Sequence, residues 1–329
     1  MKTLIALLMT GFLAVSAVAQ TAPPQQPGSP PQAAPDNGPL RVAVDLVNVL
    51  FTVADKKGKF ITNLKQPDFK IYEDDKPQVV TNFSSESNLP LTIALIVDTS
   101  GSIRDKLRFE QEAAIEFFYS TLRKGQDKAL VISFDSGVDL LTKDAGGAGV
   151  DFTDNPEKLA DAVKKIRAGG GTSLYDAVYL AVSEKLSRET GRKLIILISD
   201  GDDNSSRLSL TEALEMAQKN DVALYSISTN TTAYFSSREQ EKGDKTLKRM
   251  SEETGGRAFF PFKIDDLAAN FQQIGDELRS QYTIAYRSSN TVMNGAFRRI
   301  RIDVANKDFK ARSRTGYYAP RAGATTPSR

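Results

Sequence analysis

The chain has 329 residues, 40% of them hydrophobic, and a formal net charge of +2 at pH 7. This length allows one large domain, or a medium one with an accessory module, and the near-zero charge gives no reason to expect a nucleic-acid partner. The sequence contains neither Cys nor His. Disulfides, thiolate or imidazole metal sites and His-dependent catalytic triads are therefore excluded, and any metal chemistry must use oxygen ligands.

The first 19 residues have the layout of a secretory signal peptide. Lys2 precedes a short apolar run, and Ala17-Val18-Ala19 forms a small-residue cleavage pattern. We expect an exported protein, periplasmic or secreted, because a chain without Cys fits these bacterial compartments better than a eukaryotic extracellular space. An uncleaved N-terminal anchor is the alternative. No second stretch of 18 apolar residues follows, so the mature chain is expected to have no transmembrane segment.

Composition changes divide the rest of the chain. Residues 20–39 are rich in Pro and Gln, which predicts a flexible linker, and residues 321–329 predict a disordered tail. Residues 40–89 alternate apolar and polar side chains, which predicts a small module of β-strands. Further strands are expected within residues 281–320. We expect these strands to pack with residues 40–89 in one β layer. The alternative is that the segments before and after the α/β region form independent hairpins.

Residues 90–280 alternate strand and helix patterns, which predicts an α/β domain. Strands are predicted at 91–97, 129–134, 193–199, 222–228 and 257–262, and helices at 106–124, 155–167, 174–186, 209–220 and 265–279. The near-continuous apolar run at 193–199 is typical of a strand buried on both faces. Residues 230–245 are interpreted as a polar loop, in which Tyr234 and Phe235 form a contact patch or fold back on the core.

The first strand of this domain is followed by a short run of oxygen-bearing side chains. Asp98-Thr99-Ser100-Gly101-Ser102 offers one carboxylate and two serine hydroxyls spaced two residues apart. Hard oxygen ligands at the carboxyl end of a buried strand suit a hard cation such as Mg²⁺. Taken alone, the run is equally well interpreted as a turn that caps the next helix.

Two later segments, Gly170-Gly171-Thr172-Ser173 and Ser199-Asp200-Gly201, complete a pattern. Together the three segments resemble the metal-ion-dependent adhesion site of the von Willebrand factor type A domain, in which Asp-x-Ser-x-Ser is followed by a distant Thr and a distant Asp. The resemblance implies a Rossmann-like, doubly wound, mostly parallel sheet whose strands ending at Asp98 and Asp200 are neighbours. It implies Mg²⁺, or Mn²⁺ or Ca²⁺, as the cofactor. The implied metal ligands are Asp98, Ser100, Ser102, Thr172 and Asp200.

The resemblance also implies binding without catalysis. In this family the cation keeps a position open for an Asp or Glu carboxylate of a partner protein, and the motif contains no general base. We therefore expect a non-enzymatic, exported adhesion module. The alternatives are a structural component of a cell-envelope assembly, with a metal that stabilises the loops, and a Mg²⁺-dependent phosphohydrolase. The phosphohydrolase is disfavoured because Ser100 stands where such chemistry needs a second carboxylate.

Other polar residues near the motif have two interpretations each. Asp202 and Asp203 are interpreted either as residues that adjust the electrostatic field at the metal or as solvated turn residues. Asp176 orients a ligand or water, or it is an acid favoured by the first turn of a helix. A basic cluster late in the chain is interpreted as a solvated strand face, with binding to an anionic surface as the alternative. This cluster consists of Arg298, Arg299, Arg301, Lys307, Lys310, Arg312 and Arg314.

Overall fold

The computed structural model describes residues 46–85, 89–101, 106–142, 151–230, 237–263 and 266–321. The predicted signal peptide and linker, the tail beyond residue 321, and Ser102, Tyr234 and Phe235 lie outside these ranges. Within them, none of the helices combines the length and apolar character that crossing a bilayer requires.

Strands and helices succeed one another as follows in the described residues. The strands are β1 Leu46–Asp55, β2 Phe69–Glu73, β3 Lys76–Gln78, β4 Val80–Ser84, β5 Leu91–Asp98, β6 Lys128–Phe134, β7 Val138–Leu140, β8 Arg192–Ser199, β9 Val222–Ser228, β10 Ala258–Phe259, β11 Gln281–Arg287, β12 Phe297–Val304, β13 Phe309–Ser313 and β14 Gly316–Tyr318. The α-helices are α1 Leu107–Thr121, α2 Pro156–Lys164, α3 Leu174–Leu180, α4 Leu210–Lys219, α5 Arg238–Thr254 and α6 Asp266–Leu278.

The central sheet has the strand order β10-β9-β8-β5-β6-β7. Neighbouring strands run parallel except for the antiparallel pair β6 and β7. Side chains of β5 alternate between two cores: Ile93 and Leu95 pack with α1, α2 and α6, whereas Ala94 and Ile96 pack with α3, α4 and α5. This confirms the predicted doubly wound α/β fold, and β5 and β8, which lead to Asp98 and Asp200, are neighbours.

Strands on both sides of the α/β domain in sequence form two antiparallel sheets. Their orders are β13-β1-β11-β4 and β14-β12-β2-β3. Strand β1 pairs with β11 and β13, and β2 pairs with β12. The inner faces share one apolar core, in which Phe51 stacks on Tyr282 with ring centroids 5.3 Å apart. The chain therefore returns after the α/β domain to complete the sheets that it began before it.

Several predicted elements differ from the structure. The predicted loop at 230–245 is wrong from residue 238 onward, because α5 begins there. A capping box starts this helix: the Ser237 hydroxyl accepts from the Gln240 N–H at 3.2 Å, and Gln240 Oε1 accepts from the Ser237 N–H at 2.9 Å. Strand β10 has two residues instead of six, and the helix predicted to reach residue 186 leaves α-helical geometry after Leu180 in a π-helical turn.

The interpretation of Arg298 as part of a solvated face is also wrong. Arg298 is 4% exposed. Its guanidinium lies 3.4 Å from Glu73 Oε1 and donates to the Asn290 carbonyl at 2.7 Å. The hydroxyls of Tyr286 and Tyr317 both donate to Glu73 Oε2 at 2.9 Å. Arg298 shares the inner face of β12 with Ile300, and its buried ion pair with Glu73 links neighbouring strands of one sheet. The Tyr286 hydroxyl of β11 connects the same Glu73 carboxylate to the other sheet.

Replacing Arg298 tests this buried pair. In Arg298→Met the Glu73 carboxylate stays buried without its cation, which should lower the free energy of unfolding by about 3–5 kcal/mol in urea titrations. The matched control is Arg299→Met on the exposed face of the same strand, where a change within about 0.5 kcal/mol is expected. Equal effects of the two substitutions would contradict a structural role for the pair.

Candidate metal centre

Asp98 ends the central strand β5 and is fully buried. Its Oδ1 accepts a hydrogen bond from the Ser100 N–H at 2.9 Å, and its Oδ2 accepts one from the Ser199 hydroxyl at 2.7 Å. Ser199 is the last residue of the neighbouring strand β8. The sequence interpretation gave Ser199 no role, although its position directly before Asp200 was a usable signal. The two bonds fix the orientation of the Asp98 carboxylate.

The loop after Asp98 is tied to its surroundings by backbone hydrogen bonds. The N–H and the hydroxyl of Thr99 both donate to the Phe134 carbonyl at the end of β6, each at 2.8 Å. The Thr99 carbonyl accepts from the Gly169 N–H at 2.6 Å, which draws in the loop that carries Thr172. Ser100 is 6% exposed in this arrangement.

Thr172 is brought to the same edge of the sheet by the loop that precedes α3. Its N–H donates to Asn204 Oδ1 at 3.0 Å, and its carbonyl accepts from the Asn204 and Ser205 N–H groups at 3.1 and 3.0 Å. The segment that follows Asp200 is thereby joined to the Thr172 loop. Gly170 adopts a φ of +87°, and a Cβ there would lie 2.6 Å from Asp135 Oδ2, so this turn requires glycine.

Asp200 directly follows β8 and is partly exposed, and its Oδ1 accepts from the Asp202 N–H at 3.1 Å. Gly201 has a φ of +80°, and a Cβ there would overlap the carbonyl of Gly243 in α5. Helix α5 therefore packs directly against the Asp200 turn. Three loops converge at the carboxyl edge of the sheet. The first carries Asp98 and Ser100, the second carries Thr172, and the third carries Asp200. Ser102, the fifth predicted ligand, lies outside the described residues.

The buried position of the Asp98 carboxylate disfavours its charge. Burial raises the pKa of Asp98 to about 6; the hydrogen bonds from Ser199 and Ser100 oppose this rise, and the charge of Asp200 adds to it. Among the described residues, Asp98 forms no ion pair with Lys or Arg. A buried carboxylate beside a second one disfavours its own ionised form, so a bound cation would offset an existing electrostatic cost.

Glu110 of α1 is a second buried acid, in addition to Asp98. It is 1% exposed, and neither carboxyl oxygen has a hydrogen-bond partner within the described part of the chain. Burial, followed by the charge of Asp98, raises the pKa of Glu110 to about 8. The sequence interpretation missed this residue. The signal was its helical spacing, which places it on the same apolar stripe as Ala113, Ala114 and Phe117.

The three additional acids have distinct environments. The carboxylate of Asp176 accepts from the backbone N–H groups of Arg207 and Leu208 at 3.1 and 3.0 Å, which holds the segment before α4. Asp203 Oδ2 accepts from the Tyr175 N–H at 3.2 Å in the first turn of α3. Asp202 is exposed. The structure therefore gives Asp176 and Asp203 backbone partners within the protein.

The donor set at this edge fits a hard cation. Within the described ranges, no group of three or more acidic residues is arranged to hold a metal ion. A cation here would need the hydroxyls of Ser100 and Thr172 beside the carboxylates of Asp98 and Asp200. Such all-oxygen sets suit Mg²⁺, Mn²⁺ or Ca²⁺. The arrangement is that of an α/β domain with a candidate cation site at the carboxyl edge of its sheet.

Comparison with known families agrees with this arrangement. The model of the von Willebrand factor type A domain matches residues 92–277, more than half of the chain, and the protein belongs to this family. The predicted resemblance is thereby confirmed. Domains of this family generally mediate protein–protein interactions, and those with the adhesion site bind a divalent cation. No curated protein matches the sequence.

Solved structures that are similar to this chain are so at low sequence identity. A von Willebrand factor type A protein from Catenulispora acidiphila is 15% identical, with 80% of this chain and 76% of that chain covered and a TM-score of 0.45. The corresponding domain of the type V pili tip protein Mfa5 from Porphyromonas gingivalis is 13% identical over 57% of this chain and 95% of that chain, with a TM-score of 0.46. Proximal thread matrix protein 1 from the mussel byssus, whose MIDAS motif is occupied by zinc, is 16% identical over 63% and 50%, with a TM-score of 0.49.

Glu110→Gln should stabilise the metal-free protein at alkaline pH. Because the folded pKa of Glu110 is about 8 and the ordinary pKa of a glutamate is 4.5, folding takes up a proton between these pH values, and wild-type stability falls as the pH rises through that range. Glutamine does not ionise, so the variant should exceed the wild type by on the order of a few kcal/mol at pH 9 and match it near pH 4.5. Urea titrations in EDTA measure the difference.

The matched control for this experiment is Glu116→Gln on the exposed face of the same helix. Its stability should follow the wild-type pH profile. Parallel pH profiles for Glu110→Gln and wild type would show that Glu110 carries no raised pKa.

Proposed function

We propose that this protein is a non-enzymatic binding module that captures an Asp or Glu carboxylate of a partner protein through a divalent cation. The observation that carries the proposal is the buried Asp98 carboxylate, which is oriented by Ser199 and lies beside Asp200 without a basic ion-pair partner in the described residues. The residues proposed to hold the cation are Asp98, Ser100, Ser102, Thr172 and Asp200.

The donor set explains why such a site would bind a partner. Three of the five proposed ligands are neutral hydroxyls, so the protein contributes only two negative charges. When bound, the cation supplies an electrophilic centre for an external carboxylate. The protein's part is to keep Asp98 fixed through Ser199 and Ser100, and to hold the Thr172 and Asp200 loops together through Asn204.

A groove beside Asp200 offers room for a partner segment. Its volume is about 290 Å³, and its charged lining consists of one lysine, Lys106, and three acids, Asp200, Asp202 and Glu239. The uncharged polar side chains of Asn230 and Gln240 also line it. Polar walls of this kind set the specificity of recognition around a central anchor. We propose that the anchor is the metal-bound carboxylate and that the groove selects the residues next to it.

We further propose that the cation is Mg²⁺, with Mn²⁺ and Ca²⁺ as the other candidates, and that the protein acts outside the cytoplasm. Hydroxyl-rich oxygen sets that retain waters suit Mg²⁺. The N-terminal pattern of charge, apolar run and small residues supports export to the periplasm or secretion.

Asp98→Asn is the direct test of the proposed site. Loss of the buried anionic ligand should weaken Mg²⁺ binding by at least about tenfold in titration calorimetry. It should also abolish capture of partner proteins from the native envelope or medium. The matched control is Asp161→Asn on the surface of α2, which should bind and capture as the wild type does.

Capture that survives both EDTA and Asp98→Asn would contradict the proposal. A purely structural metal gives a different result, in which chelation lowers the melting temperature and leaves every interaction unchanged.

Ser199→Ala tests the orientation of Asp98 separately from the ligands. The variant keeps all five proposed ligands but loses the hydrogen bond to Asp98 Oδ2 and the one that Ser199 Oγ accepts from the Gly201 N–H at 3.0 Å, which should weaken Mg²⁺ binding by about 10–100-fold. Ser133→Ala, a buried serine on the neighbouring strand β6, serves as the control and should leave Mg²⁺ affinity unchanged. Unchanged affinity in Ser199→Ala would mean that Asp98 needs no such support.

A further inference from the structure

Exposed apolar side chains are concentrated around one connection of the antiparallel sheets. This connection joins β11 to β12 and comprises residues 288–296. Ten large apolar residues are exposed in the part of the chain that the structure describes, and five of them lie in this connection or beside it. These five, called the apolar patch below, are Leu46, Val79, Val292, Met293 and Phe297. Single exposed apolar residues are ordinary, whereas a group of them marks an interaction surface.

Two members of the apolar patch are brought to the connection by neighbouring strands. Leu46, the first residue of β1, pairs with Arg287, the last residue before the connection. Val79 follows Gln78 of β3, whose side-chain amide donates to Ser289 Oγ and accepts from the Ser289 N–H, both at 2.9 Å. Val79 is 81% exposed. The patch therefore combines residues of three separate segments of the chain.

Hydrogen bonds within the protein occupy polar backbone groups of the connection. The Arg298 guanidinium donates to the carbonyl of Asn290 at 2.7 Å and to that of Val292. The Val292 N–H donates to Asn290 Oδ1, and the Gly295 N–H donates to the Pro320 carbonyl, each at 3.2 Å. Backbone groups that already have partners cost less to remove from water. The connection is therefore suited to enter a less polar medium.

The sequence around the apolar patch is basic. Residues 278–302 contain five arginines and neither Asp nor Glu, and the connection itself has no charged residue. Arg287 directly precedes the connection, and Arg321 pairs with Asn294 within it. Both arginines are exposed, and neither forms an ion pair with another described residue. The patch is thus bordered by positive charge that is open to an anionic surface.

The neighbouring turn between β2 and β3 carries two acids that already have partners. Asp74 Oδ1 accepts from the Arg299 N–H at 2.9 Å. Asp75 lies 3.7 Å from the Arg299 guanidinium and 4.0 Å from that of Arg301. Exposed basic residues around the patch outnumber these two acids. They are Lys76, Arg287, Arg299, Arg301 and Arg321.

We propose that the apolar patch docks on the surface of a bilayer that contains anionic phospholipid. Val292 and Met293 enter the boundary between headgroups and acyl chains, and the arginines at the margin contact lipid phosphates. A chain exported as its N-terminal sequence predicts would meet such a membrane surface. The patch lies on the antiparallel sheets and contains none of the proposed metal ligands, so the proposal does not rest on the proposed function.

A tryptophan probe tests insertion of the connection directly. The chain contains no Trp, so a single introduced one reports on its own surroundings. Met293→Trp is prepared in the exported form without residues 1–19, whose apolar run would itself bind lipid. In EDTA, vesicles of phosphatidylglycerol and phosphatidylcholine in equal parts should shift its emission to shorter wavelength, and brominated acyl chains should quench it.

The matched control is Tyr119→Trp, at an exposed apolar position on α1. Its emission should neither shift nor be quenched. Absence of the shift and of the quenching at position 293, or equal responses at both positions, would overturn the proposal.

Cosedimentation with the same vesicles measures the contributions of the apolar and basic residues. The wild type should bind them at least about tenfold more tightly than vesicles of phosphatidylcholine alone. The double substitution Val292→Ser and Met293→Ser should weaken binding by at least about tenfold, and Arg287→Gln by about fivefold. Lys158→Gln, an exposed position on α2, is the control and should change nothing.

Equal binding to anionic and neutral vesicles, or unchanged binding in both variants, would overturn the proposal. Sedimentation velocity without vesicles tests the other occupant, a second copy of the chain. A wild-type dimer that the double substitution dissociates would assign the patch to an interface between copies and overturn docking on lipid. If a variant fails to fold, the quenching of Met293→Trp decides.

Discussion

The candidate site depends on the burial of the Asp98 carboxylate at the end of the central strand β5. Strand β5 lies between β6 and β8 and is buried on both faces, so the carboxylate of Asp98 follows it into a region that water does not reach. Leaving a carboxylate there is costly unless hydrogen bonds or a cation compensate it. Ser100 and Ser199 supply two hydrogen bonds. The neighbouring Asp200 raises the pKa of Asp98 further, which gives a cation an electrostatic reason to bind.

Hydrogen bonds also link the loops around this carboxylate to one another. Thr99 ties the Asp98 loop to β6 and to Gly169, and Asn204 ties Thr172 to the segment after Asp200. Each proposed ligand in the described residues is thus positioned by hydrogen bonds within the protein. A site prepared in this way loses little conformational freedom when it binds an ion or a partner.

The sequence predicted the strands of the central sheet well because β5 and β8 are continuous apolar runs, which few other structures produce. It missed α5 because that helix is strongly polar and buries a narrow stripe that includes Leu247 and Met250. Arg298 was misassigned because charge alone indicates solvent exposure, whereas its partner Glu73 lies far away in sequence. The pairing of β1 with β11 was left open for the same reason: local patterns specify a strand but not its partner. In the site, the resemblance to the family motif indicated the ligand set. Sequence position also offered a signal for Ser199 and Glu110, but the hydrogen bond of Ser199 to Asp98 and the burial of Glu110 without a hydrogen-bond partner in the described residues are shown only by the structure.

The central claim is that a divalent cation is held between the Asp98, Thr172 and Asp200 loops. Anomalous diffraction from crystals grown with Mn²⁺ tests it most directly. The account predicts a peak at coordination distance from oxygens of Asp98, Ser100, Ser102, Thr172 or Asp200, with at least one further position filled by water or an external carboxylate. Fully occupied Mn²⁺ elsewhere in the molecule, with no peak between these loops, would contradict it.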